Sequence, residues 1–303
     1  MKLVSATSTV GALRRDFLSA TLVVALALAL IGLLYASGDG SVGAGALGMG
    51  GAYVGLAEGP SAVYWNPAAL ANIEEVQVTI EGVVAGGDRR DFAALVVPVG
   101  EGQAVAVGYW REPYLRTRDL PRLGIYLAWS QEQFALAYGR RLSERVSAGV
   151  KVRELQDAPA CSWNGNPIEY RPHSGSPVDV GLLYEAGDAV TLGVQVLGVN
   201  GTETHAHLIA QDNLVQKHGP LWQVGAAAKV SGGTVTADLF DVGALRERQL
   251  RLGVAVPVGA GVTLRSGWAN GDGFAAGAAF TKGRATLETA YTGEGYVLGV
   301  TWR

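Results

Sequence analysis

The chain has 303 residues, a formal net charge of −3 and a pI near 5.8, so no basic surface is available to carry nucleic acid. Glycine supplies 43 of those residues, about twice the usual ~7 %, while charged residues stand at 17 % against a typical ~25 % and hydrophobic residues at 49 %. A single cysteine, Cys161, excludes an internal disulfide framework and any multi-cysteine metal site.

Lys2, Arg14 and Arg15 precede an almost wholly apolar run, Phe17 to Leu34, that ends in Tyr35-Ala36-Ser37. This is the pattern of a cleavable export signal over 1–36, although the run is also just long enough to serve as a retained bilayer anchor. The Arg14-Arg15 pair reads as ordinary n-region charge, because twin-arginine export carries folded proteins and a membrane barrel must cross unfolded.

Residues 37–74 form a glycine-rich, nearly uncharged segment in which Glu58 is the one charged side chain between Gly43 and Ala71. So many glycines, each costing roughly 1 kcal/mol against Ala in a helix interior, rule out a long amphipathic helix. The segment therefore needs an external support. Gly43, Gly45 and Gly48 spell the dinucleotide fingerprint G-x-G-x-x-G, but no strand precedes them, no helix pattern follows and Glu74 and Glu75 lie too far along.

From Glu75 to the end, short runs alternate small or apolar with polar residues between turn signals, at a length suited to tilted membrane-crossing strands. Leu192, Val194 and Val196 alternate with Gly193 and Gln195, and Leu252, Val254 and Val256 alternate with Arg251, Gly253 and Ala255. About fifteen runs can be marked, which an even-numbered barrel forbids. Merging the two runs within Leu123 to Leu142 gives fourteen. Counted back from a periplasmic C-terminus, the long connections Gln156–Pro177 and Asn200–Pro220 fall outside, and the short turns fall inside. Tyr109, Trp110, Trp129, Trp222, Trp268, Tyr291, Tyr296 and Trp302 cluster at strand ends, as an interfacial girdle would. The fold expected is an all-β, antiparallel transmembrane barrel over 75–303, of about 14 strands, with the 37–74 segment packed against or inside it.

Leu47-Gly48-Met49-Gly50-Gly51-Ala52-Tyr53-Val54 and Ser61-Ala62-Val63-Tyr64-Trp65-Asn66-Pro67-Ala68-Ala69-Leu70 resemble the start of mature PorV/PorQ-like outer-membrane proteins, which are related to FadL-type transporters. Looser likeness continues in Ser147–Lys151, Val178–Tyr184 and Val190–Val194. The resemblance implies an outer-membrane location and places the N-terminal segment inside the barrel, with Tyr64, Trp65, Asn66 and Pro67 as plug or gating candidates. It implies two functions. One is a partner or scaffold for secreted or surface-attached proteins, to which the sequence leans because the mature chain is short for a FadL-type transporter. The other is passive transport of hydrophobic or small solutes.

Charges inside strands, namely Glu81, Arg153, Asp179, Lys229, Asp238, Arg251, Arg265 and Glu288, would be costly on a lipid face, roughly 2 to 4 kcal/mol for Arg or Lys at mid-bilayer. They are expected in the lumen, as space-filling pairs or as the lining of a solute path. His205, His207 and His218, with Glu203 or Asp212, could share a metal ion, but they fall in a predicted outer loop, so no metal and no cofactor is expected. No G-x-S-x-G elbow or nucleophile triad can be drawn, and Cys161 sits in another turn-rich outer loop. No enzymatic activity is expected. The expected partners are outer-membrane lipid, a secreted or surface protein and a hydrophobic ligand.

Overall fold

The computed structural model describes residues 42–85, 91–120, 125–163, 166–167, 174–208, 211–218, 220–240, 249–270, 272–293 and 295–303. The apolar run at 17–34 lies outside them. Among the described residues no helix is long and apolar enough to cross a membrane, which says nothing of strands.

Alternation of small or apolar with polar residues produces the expected strands. They are β1 (Gln77–Ala85), β2 (Asp91–Gly100), β3 (Gln103–Leu120), β4 (Ile125–Arg141), β5 (Val146–Trp163), β6 (Val178–Glu185), β7 (Val190–Leu197), β8 (Leu221–Val230), β9 (Gly233–Phe240), β10 (Gln249–Gly259), β11 (Val262–Ala269), β12 (Gly273–Lys282), β13 (Ala285–Thr292) and β14 (Gly295–Trp302). Each pairs antiparallel with its chain neighbours, and β1 pairs with β14 from Val78 opposite Trp302 to Ala85 opposite Tyr296. The result is a closed fourteen-stranded antiparallel barrel; two further ladder members are two-residue pieces at 166–167 and 174–175.

The merger of the runs within 123–142 is correct: β4 is one strand of 17 residues. Two expected connections differ. β3 and β5 run for 18 residues each, well past the predicted ends near 111 and 155, so β3, β4 and β5 rise together beyond their neighbours. Within 200–220 a separate hairpin pairs Thr202–Leu208 with Gln211–His218. The side chains of His205, His207, His218 and Cys161 lie outside the described set.

Exposed apolar residues recur on the outward faces of the strands, Ile80 at 68 % and Leu136 at 62 % among them. Trp222, Tyr296 and Trp302 are also exposed, as a girdle requires. Trp110 is not. It is 1 % exposed and points into the lumen, because it shares the parity of Ala104, Ala106 and Gly108 on the inward face of β3.

Candidate functional site

Residues 42–73 pack against inward-facing glycines and polar side chains of the strands. Glycine and small residues keep the chain compact here as four short turns: helical at Ala44–Leu47 and Ala62–Trp65, and 3-10 at Gly59–Ser61 and Pro67–Asn72. Asn66 caps the last of these, its Oδ1 accepting from the Ala68 N–H at 3.1 Å, with Pro67 at the first position, where no N–H is needed.

The barrel meets this segment with glycine. Gly48 rests on Gly277 of β12, Met49 on Gly267 and Gly253 of β11 and β10, and Gly55 on Gly225 and Gly193 of β8 and β7. Asn66 and Pro67 rest on Gly181, Gly149 and Gly139 of β6, β5 and β4, and Val63 on Gly108 of β3. A methyl group at most of these wall positions would strike the segment's backbone, so backbone lies directly on backbone.

Inward polar side chains fasten what glycine admits. Glu81 accepts from the Ala44 N–H at 2.6 Å and Asp238 from the Val54 N–H at 2.7 Å. Lys151 Nζ and Gln195 Nε2 both donate to the Tyr64 carbonyl, at 2.9 and 3.2 Å. Asn66 Nδ2 donates to Val54 O at 3.1 Å and to Leu182 O at 3.3 Å, tying the two halves of the segment to β6. Buried Asp179 holds Arg153 at 2.7 Å and Lys151 at 3.2 Å, and Arg153 also donates to Gln133 at 2.8 Å. Arg251 lies over the Phe240 ring at 3.8 Å and donates to Gln249 at 2.7 Å. Arg265 and Glu288 pair at 2.8 Å beside Gly45, and Lys229 is exposed at the short-turn end.

Aromatic rings gather around Trp65, which is 1 % exposed and donates from Nε1 to Val42 O at 2.9 Å. Tyr64, Tyr53 and Phe240 meet it edge-on at centroid distances of 5.0, 6.1 and 6.2 Å, and Trp110 meets Tyr64 at 5.3 Å. Lys151 stands over Tyr64 and Trp110 at 5.7 and 5.6 Å. Tyr53, Lys151, Phe240 and Trp110 are not among the site residues the sequence suggested, and Phe240 and Trp110 are the wall aromatics it missed. Their signal was parity: both fall on the inward register of strands whose other inward residues are small or polar.

Two cavities open on the other side of the segment, toward the short turns. One, of ≈190 Å³, includes Tyr53, Glu58, Arg265 and Glu288 in its lining, and the other, of ≈530 Å³, includes Leu56, Gln77, Glu185, Asp188 and Lys229. Glu58, Gly59 and Arg303 belong to both. The segment thus divides aromatic surroundings from polar, partly open space.

No protein-family model and no curated protein matches the sequence. Among solved structures, the Ralstonia pickettii toluene transporter TbuX matches at a TM-score of 0.65 and 14 % identity, covering 87 % of this chain and 98 % of its own. The Pseudomonas putida toluene transporter TodX follows at 0.62 and 12 %, covering 88 % and 97 %, and a Pseudomonas aeruginosa FadL homologue at 0.62 and 11 %, covering 88 % and 99 %. At such identities the likeness is one of fold: this chain is built as those FadL-like barrels are.

Proposed function

We propose that this protein resides in the outer membrane and passes small hydrophobic molecules through its barrel, with the 42–76 segment as the restriction. The observation that carries the reading is the segment itself, which packs against the inward face of a closed barrel and presents Tyr64 and Trp65 together with Trp110 of the wall. Similarity of fold to barrels described as toluene transporters supports it. Tyr64, Trp65, Asn66 and Pro67 are proposed as the restriction, Glu81, Arg153, Asp179, Asp238, Arg251, Arg265 and Glu288 as the groups that hold its position, and Lys229 as part of the lining of the space beside it. The test is toluene uptake by cells carrying the protein against cells carrying an empty barrel of similar size. Faster uptake supports transport, and equal rates sink it.

A second reading, a docking partner for secreted or surface proteins, draws on one observation: β3, β4 and β5 extend as a three-stranded sheet beyond the neighbouring strands. Mild-detergent isolation with a stoichiometric protein partner attached would favour it over transport.

A further inference from the structure

Four threonines stand at one level on four adjacent strands near the short-turn end. Thr79 of β1 lies opposite Thr301 of β14, Thr301 opposite Thr286 of β13, and Thr286 opposite Thr281 of β12. All four, with Thr263 of β11, line the ≈190 Å³ cavity, and Thr79, Thr286 and Thr301 are buried in doing so. Packing alone would be served by valine, which has the same shape and no polar group.

The hydroxyls are only partly spent on each other. The Thr79 and Thr301 oxygens are 2.9 Å apart, Thr79 also reaches Val300 O at 3.2 Å, and the Thr281 and Thr286 oxygens are 3.0 Å apart. Each hydroxyl brings one donor and two lone pairs. The row therefore keeps acceptor positions along its length and one O–H in the Thr281–Thr286 pair that neither oxygen takes. Behind it Arg265 pairs with Glu288 at 2.8 Å, and buried Glu81 accepts from the Ala44 N–H at 2.6 Å and from the Thr79 hydroxyl, so the free hydrogen-bonding positions lie toward Thr281, Thr286 and Thr301. Glu58 and Arg303, exposed and of opposite sign, also line the cavity, while Tyr53 and Pro60 supply flat apolar walls. A group that both donates and accepts, carried on a small apolar body, fits this lining better than an ion or a hydrocarbon.

We propose that the threonine row binds a small neutral hydroxylated molecule of the phenol class. The site does not rest on the transport reading, since occupancy can be measured without flux. The test is methyl NMR of the full chain, threonine-labelled in detergent micelles and titrated with phenol and with toluene, which has the same shape without the hydroxyl. Phenol is expected to shift the Thr79, Thr286 and Thr301 methyls saturably, with toluene at least about fivefold weaker. Thr286→Val with Thr301→Val is expected to weaken phenol about tenfold and leave toluene unchanged. Equal binding of the two probes, shifts confined to other methyls, or undiminished phenol binding by the double variant would overturn the proposal. Should that variant not close into a barrel, the probe ratio and the shifted methyls of the parent decide alone.

Discussion

At the scale of single residues, the wall glycines and Asn66 are where small changes should be felt most. In Gly149→Ala the new methyl meets the Pro67 backbone, and in Gly181→Ala it meets the Asn66 side chain. Each is expected to cost about 1–3 kcal/mol, as overpacking a tight interior does, read as an earlier urea midpoint in detergent. Asn66→Ala leaves the buried Val54 carbonyl, and the Leu182 carbonyl of β6, without this donor. A loss of roughly 1–3 kcal/mol should follow, with faster proteolysis near residue 58 as a second readout. Asp179→Ala removes the shared partner of Lys151 and Arg153 at a fully buried position, and about 3–5 kcal/mol is expected in the same unfolding assay. The Trp-Asn-Pro run and the strand charges could be picked out from sequence because turn residues and buried charges carry local signals. Trp110 reads from sequence as girdle, since an aromatic near a strand end fits a lipid interface as well as a lumen, and only the register of β3 separates the two.

At the scale of elements, strand number was legible because alternation survives wherever one face meets lipid and the other does not. The extension of β3 to β5 was not. Pro113, Pro159 and the polar residues around them read as loop, since strands standing clear of the bilayer have no lipid face to enforce alternation. Their Pro and Arg content also suits an edge that must not pair with other chains. Joining Arg111 to Glu132 through a short Gly-Asn turn should therefore leave a barrel with heat-modifiable mobility on a detergent gel. Loss of that mobility would show that the extension is needed for closure.

At the scale of the whole molecule, the two sides of the 42–76 segment differ, with aromatic rings on one and a polar, hydroxyl-lined space on the other. If the segment is the restriction, Trp65→Ala should raise toluene uptake severalfold, because it empties the centre of the ring cluster; unchanged uptake would mean that solutes take a path this segment does not limit. The glycine contacts carry a further consequence, for assembly. A cylinder already closed has no room to admit a chain lying backbone on backbone against most of its strands, so the segment must be in place before the last seam zips. That seam joins β1, which directly follows the segment, to β14, the strand farthest from the segment along the barrel's chain order. The segment is thus a mandrel around which the sheet is wound, and a chain lacking residues 42–73 should insert slowly or close at the wrong girth.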